Sequence, residues 1–262
     1  MPASGSDTKP PLGPEFSVKI AETKDELRAA QALRYDVFVR ELGGSGDMVD
    51  HQAGLEKDRF DRFFEHMIIT DTAIGQVVGV YRLLRDDQAQ VAGQFYSEDE
   101  YDLTLLKSSG RKLLELGRSC LHQEYRGGTA MFHLWNGLAD YVARHKIEVL
   151  FGVASFHGTD IATLAEPLSM LNHNHLAPPD LRMRALDQHY QPMDLIAADD
   201  LDRRKAMLQV PALIKAYLRL GGFVGDGAFI DEKFNTTDVC LVLDTARLNA
   251  RQSRMYAGGQ GG

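Results

Sequence analysis

Residues 113–130 read Leu-Leu-Glu-Leu-Gly-Arg-Ser-Cys-Leu-His-Gln-Glu-Tyr-Arg-Gly-Gly-Thr-Ala, and residues 151–156 read Phe-Gly-Val-Ala-Ser-Phe. The first run is a strand ending at His122, followed by a Gly-rich loop, Gln123 to Thr129, with one fixed cation. The pattern predicts a helix directly behind it, from about Ala130 to His145, with Met131, Trp135, Leu138 and Val142 at helical spacing. A nearly all-apolar strand, Ile147 to Phe156, closes the unit and reads as buried on both faces. Strand, loop, helix and strand in that order make a cradle for an anion. A helix N-terminus presents unpaired N–H groups and partial positive charge. Gly127 and Gly128 let backbone approach a ligand, and Arg126 adds a planar donor fork. With Thr129, these residues suit the phosphate of a carrier thioester, although a plain surface turn before a helix would look similar.

The same strand holds Glu115 and Arg118. In a flat strand, side chains three residues apart face opposite sides, but a bulge at Gly117 would turn both towards one cleft. A strand-edge ion pair without a catalytic task fits the same spacing.

Outward from this unit, Phe16 to Ala21 reads as a first strand. A helix follows with a capping box at Thr23 and Glu26, an apolar face through Leu27, Ala30, Leu33, Val37 and Phe38, and a stop near Gly43-Gly44. The stretch from Gly44 to Glu65 is irregular and acidic, with Asp47, Asp50, Glu56, Asp58 and Asp61. Strands are expected at Met67–Thr70, Val77–Leu84, Phe223–Ile230 and Thr237–Leu243, and short helices at 103–107, 161–173 and 211–220, with Pro167 inside one of them. The absence of a clean linker predicts one domain over 15–248, with a disordered tail over 1–14 and a flexible one over 249–262.

The composition narrows the function. With 37 acidic against 29 basic side chains, the net charge of −8 argues against nucleic acid as partner. Cys120 and Cys240 lie far apart in apolar segments, which fits a reducing, cytoplasmic setting and leaves Cys120 a poor nucleophile. No segment looks like a signal peptide or a membrane span, while peripheral contact with the inner membrane stays open. The histidines at 173 and 175 do not share a helix face, so no metal is expected. The Gly221–Gly227 run follows a helix and precedes a strand, the reverse of a dinucleotide fingerprint.

Glu115-Leu-Gly-Arg118, the Tyr125-Arg-Gly-Gly128 loop and the helix and strand behind them resemble the acyl-carrier core of the GNAT acyltransferase fold. Arg34 with Val37-Phe38, Asp58 and Asp61, Tyr81-Arg82 and Glu115/Arg118 also resemble acyl-homoserine lactone synthases. Two departures count against that narrower group: Gly43-Gly44 stands where an aromatic residue is expected, and the C-terminal portion is extended. Val78–Arg85, Phe95-Tyr-Ser97, Leu116–Cys120, Leu150–Phe156, Met193-Asp-Leu195, Leu213–Tyr217 and Val224–Ala228 resemble the ornithine acyl-carrier-protein N-acyltransferases of ornithine-lipid synthesis.

That resemblance implies an α/β fold with a mixed, mostly antiparallel twisted sheet flanked by helices. It also implies transfer of a 3-hydroxyacyl chain from acyl carrier protein to the α-amine of ornithine. The acyl carrier thioester is then a co-substrate, and no bound cofactor is expected. The same chemistry on glutamine or another amino acid, a homoserine-lactone signal synthase, and a non-catalytic acyl-carrier or lipid-binding module are the alternatives. On this reading Glu115 is the general base and Arg118 orients it. Arg126, Gly127, Gly128 and Thr129 hold the phosphopantetheine, and Arg34, Asp58, Asp61 and Arg82 meet the amino acid. Arg111, Lys112, Arg126, Arg144 and Lys146 are the candidate docking cations for an acidic carrier protein.

Overall fold

The computed structural model describes residues 14–46 and 48–247. Both tails expected from the sequence fall almost wholly outside that range, as does Asp47 of the acidic stretch.

Strand β1 (Phe16–Ile20) leads into helix α1 (Lys24–Arg34), whose capping box forms as expected: Glu26 N–H donates to the Thr23 hydroxyl and its carboxylate accepts from Thr23 N–H. The helix does not stop at Arg34 but widens into π-type winding over Tyr35–Glu41. It ends where Gly43, at φ 72°, and Gly44 donate back to Val39 and Phe38. Strands β2 (Glu65–Asp71) and β3 (Gln76–Arg85) follow the irregular acidic stretch. Then come α2 (Asp86–Ala92), the short strand β4 (Tyr101–Asp102) and α3 (Thr104–Ser108).

The deciding unit folds as β5 (Leu113–Leu121), α4 (Ala130–His145) and β6 (Val149–His157). Helix α5 (Ile161–His175) runs through Pro167 without a break. Burial of Pro167, Leu168, Met170 and Leu171 holds the helix together despite the one backbone bond that proline removes. The short strands β7 (Arg184–Ala185) and β8 (Tyr190–Gln191), helices α6 (Arg203–Gln209) and α7 (Ala212–Arg219), and strands β9 (Phe223–Val224), β10 (Ala228–Asp231) and β11 (Thr236–Asp244) complete the chain. The single strand expected over 223–230 is therefore two. Gly225-Asp-Gly227 interrupts it, and Gly227 takes φ 76° where a Cβ would strike the Tyr190 ring.

The main sheet runs β1-β2-β3-β5-β6-β11-β10-β8, with β9 also paired to β11. All the pairs are antiparallel except β5 with β6. Alternation along the strands feeds both faces: Met67 and Ile69 pack with Leu134 and Leu138 of α4, whereas Ile68 packs with Ala30 and Leu33 of α1. The expected mixed, mostly antiparallel sheet between helices is what forms.

Candidate active site

Strands β5 and β6 pair only at Leu113–Val149, Leu114–Leu150 and Glu115–Phe151. Beyond that point they part, and each keeps its outer partner, β3 or β11. Gly152 stands at the parting: a Cβ there would lie 2.1 Å from the Leu116 carbonyl oxygen. The resulting fork holds a small cavity of about 30 Å³, bounded by Gly117, Arg118 and Ser119 on one strand and Gly152, Val153 and Ala154 on the other. Parted strands expose backbone N–H and C=O groups that an extended amide-bearing chain can use.

The bulge expected at Gly117 lies one step further on. Gly117 faces Arg82 and Cys120 faces Val80, so Arg118 and Ser119 share the place opposite Tyr81. Arg118 takes φ 50°, a left-handed conformation uncommon for a residue with a side chain. This twist carries its guanidinium out of the ladder. Arg118 lines the fork cavity and two larger ones, of about 350 and about 420 Å³. It donates to Glu56 at 3.1 Å and to the Tyr96 hydroxyl at 3.4 Å, and lies 3.6 Å from Asp58.

Behind Arg118 is a closed ion-pair network. Arg34 pairs with Glu56 and, at 2.7 Å, with Asp61. One nitrogen of Arg82 reaches Asp58 at 2.6 Å and Asp61 at 2.7 Å, while its guanidinium lies over the Phe64 ring at 4.3 Å. Gln31 adds a third donor to Asp61 at 2.8 Å. Arg34 and Arg82 are fully buried. Burial alone would raise Glu56, Asp58 and Asp61, but the surrounding arginines hold all three carboxyls below their ordinary range. Of the four residues expected to meet the amino acid, Asp58 is the one that lines a cavity described here, the larger of the two; the others face each other.

Glu115 is also buried, and lines none of the three cavities. One oxygen accepts from Tyr96 N–H at 2.7 Å, and the other accepts from Ser97 N–H at 2.6 Å and the Ser97 hydroxyl at 2.5 Å. Burial pushes its carboxyl up to about 7 despite these donors. Glu115 and Arg118 do not touch directly: Tyr96 links them, with its backbone on one and its hydroxyl on the other.

In the loop before α4, Gly127 takes φ 76° with open space where a Cβ would stand, and Gly128 is nearly as open. Arg126 donates to the Leu121 carbonyl and pairs with Glu41 at 2.6 Å, a partner the local sequence does not announce. Arg144 stands in the last turn of the sixteen-residue α4 and Lys146 caps it, with Lys112 and Arg111 bonded to the nearby His145 and Glu148 carbonyls, roughly 24 Å of helix from the Arg126 end. The five expected docking cations are thus not one patch. Cys120 is buried, and burial pushes its thiol up to about 12, in keeping with an inert side chain.

The sequence reading missed Glu100, Asp231 and Asp238, which line the cavity of about 350 Å³ beside Arg118. A lone aspartate inside the apolar run of β11 was the available signal for Asp238. Nothing local marks Glu100 or Asp231, which are brought together from distant segments.

Residues 33–136 match the family described as an acetyltransferase (GNAT) domain. Among solved structures, FeeM, an N-acyl amino acid synthase from uncultured soil microbes, aligns with a TM-score of 0.51 at 12% identity, over 89% of this chain and 93% of its own. The AHL synthase LasI aligns with a TM-score of 0.50 at 19% identity, over 94% and 97% of the two chains. At such identities these two speak to the fold alone. The L-ornithine N(alpha)-acyltransferase of Rhodobacter capsulatus is far nearer, 54% identical over 92% of this chain and 94% of its own length. Identity of that extent over nearly the whole length of both chains assigns this one to the L-ornithine N(alpha)-acyltransferase family.

Proposed function

We propose that this acyltransferase moves a 3-hydroxyacyl group from the phosphopantetheine thioester of acyl carrier protein to the α-amine of L-ornithine, giving a lyso-ornithine lipid. The observation that carries the chemistry is Arg118, turned by its bulge to face the fork and both larger cavities. The named relative supports the choice of ornithine.

The pantetheine arm enters the fork between β5 and β6, with its phosphate at Arg126, Gly127, Gly128 and Thr129. Arg118 receives the ornithine carboxylate as a fork, since its present contacts to Tyr96 and Asp58 are long. The α-amine attacks the thioester carbonyl carbon. A C–N bond forms, the C–S bond breaks, and the pantetheine sulfur leaves as a thiolate that takes up a proton. The proton released by the amine goes to water in the open cavity. Glu115, enclosed by Tyr96 and Ser97, acts as a positioning residue that sets Tyr96 against Arg118. Arg34, Arg82 and Asp61 form the frame behind it, and Asp58 sits at the cavity edge.

Among the described residues no helix is long and apolar enough to cross a membrane. A water-soluble donor and an acylated product together favour a cytoplasmic protein in peripheral contact with the inner membrane.

The test is thiol release from 3-hydroxyacyl carrier protein with ornithine, glutamine or S-adenosylmethionine as acceptor. Ornithine-dependent release is expected. Release with glutamine alone would change the acceptor, and release with S-adenosylmethionine alone would make the chain a signal synthase. No release with any of them would remove the catalytic reading.

A further inference from the structure

Three carboxylates in the cavity beside Arg118 have no part in the ion-pair network. Glu100 comes from the turn before β4, Asp231 from the end of β10 and Asp238 from β11, and one oxygen of each lies within 4.8 Å of the others. Glu100 is 7% exposed and Asp238 4%, so both are more than nine-tenths buried. Glu100 Oε2 and Asp238 Oδ1 are buried without any hydrogen-bond partner. Both residues line the cavity. A buried carboxylate oxygen with no donor costs free energy unless a ligand supplies one.

The surroundings hold the group in place without neutralising it. The Tyr101 hydroxyl donates to the Gly227 and Asp238 carbonyls, pinning the segment next to Glu100 against β11. Asp231 Oδ1 accepts from the backbone of Lys233 and Phe234, and Asp238 has two hydroxyls beside it, Thr236 donating to Oδ2 and Ser155 close by. Burial, reinforced for Glu100 by the nearby aspartates, raises the carboxyls of Glu100 and Asp238, the latter to about 6. The cation whose charge reaches both Glu100 and Asp238 is Arg118, which already pairs with Glu56.

A cation is therefore the missing partner, and its chemistry can be narrowed. An alkylammonium offers three N–H donors to three carboxylates. A hard divalent ion seeks six or more oxygens in a tighter shell. The same cavity runs from the three acids to Arg118, so an amino acid spanning it would meet positive charge at its carboxylate end and negative charge at its side-chain end.

We propose that Glu100, Asp231 and Asp238 form the receptor for the side-chain ammonium of ornithine and so exclude neutral acceptors, an inference that rests on the ornithine N-acyltransferase reading. Asp58 and Asp61, the acids expected from the sequence to meet the amino acid, are instead held by Arg34, Arg82 and Arg118. With the far ammonium seated among the acids, the α-amine is the nitrogen left facing the fork.

The experiment compares wild type with Glu100→Gln and Asp238→Asn, made separately. Ornithine and norvaline, the same skeleton without the side-chain amine, are titrated calorimetrically and assayed for acyl transfer. Both changes keep side-chain shape and relieve like-charge crowding, so melting temperatures equal to or above wild type are expected and establish folding. Each variant should lose ornithine affinity by roughly 100-fold, and the preference for ornithine over norvaline should collapse. Folded variants that keep wild-type ornithine affinity and selectivity would overturn the receptor. So would a stoichiometric divalent metal in the wild type that Asp238→Asn releases. Ornithine binding that the variants abolish, without acyl transfer in the wild type, would support the receptor and overturn the reaction instead.

Discussion

The Ser97 hydroxyl and the Ser97 backbone N–H both donate to a single oxygen of Glu115, at 2.5 and 2.6 Å. This double hold, with Tyr96 N–H on the other oxygen, makes Glu115 the anchor of the turn that sets the Tyr96 hydroxyl against Arg118. Ser97→Ala removes one charge-assisted bond and should cost about 1.5–3 kcal/mol in urea unfolding. Glu115→Gln turns an amide NH₂ towards N–H donors and should cost more. A positioning role predicts that both variants lower kcat while the pH dependence of kcat/KM keeps its shape. Loss of a limb near the raised Glu115 value of about 7 in Glu115→Gln alone would identify it as the base.

Arg34 joins Glu56 and Asp61 with no solvent around it. Arg34→Met leaves those buried carboxylates short of a partner, and about 3–5 kcal/mol of stability should be lost. Lysine should not rescue, because one ammonium cannot reproduce the planar fork that spans both acids. Chemical unfolding of the two variants side by side measures this.

Arg126 lies at the surface and pairs with Glu41. Arg126→Ala should change stability by less than about 1 kcal/mol, as exposed pairs do. Its effect belongs to the donor: KM for the acyl carrier thioester should rise several-fold with kcat nearly unchanged. Steady-state kinetics over a range of salt checks it, since the effect should shrink as ionic strength rises.

Stability should peak on the acid side of neutrality. Glu115, Glu100 and Asp238 have raised carboxyls in the fold, so the stability they contribute at low pH is lost as pH rises, through about 6 for Asp238 and about 7 for Glu115. Glu56, Asp58 and Asp61 are lowered, so theirs is lost as pH falls below the ordinary carboxylate value of about 4. His66, lowered to about 4 by burial, offsets the first slope in part, because it favours folding as pH rises towards its ordinary value. The melting temperature should therefore be highest near about pH 4–5 and decline towards pH 8. A steady rise from pH 5 to 8 would contradict this balance.

Much of the fold was legible because its signals are local. Thr23 and Glu26 are three residues apart, Gly43-Gly44 follows an amphipathic run, and the segment from β5 to β6 is continuous in the chain. Helices α2 and α6 were missed because each is only seven residues long and shows a single buried side chain, Ala89 or Ala206. The break in the strand over 223–230 is not legible locally, because the neighbours that leave no room for side chains at Gly225 and Gly227, Met183 and Tyr190, are far off in the chain. Within the site, a bulge near Gly117 was foreseeable from the need to bring residue 118 into the cleft. That Asp61 is shared by Arg34 and Arg82, or that Glu100 meets Asp231 and Asp238, depends on pairing across more than a hundred residues or around a closed loop. No spacing along the chain encodes such meetings.

The most direct measurement is the position of the new amide in the product formed from 3-hydroxyacyl carrier protein and ornithine labelled with nitrogen-15 at the side-chain amine. With the far ammonium held among the three acids and the α-amine at the fork, the label should remain in a free amine and the amide nitrogen should be unlabelled. An amide formed at the labelled nitrogen, or no amide at all, would contradict transfer to the α-amine of ornithine at this site.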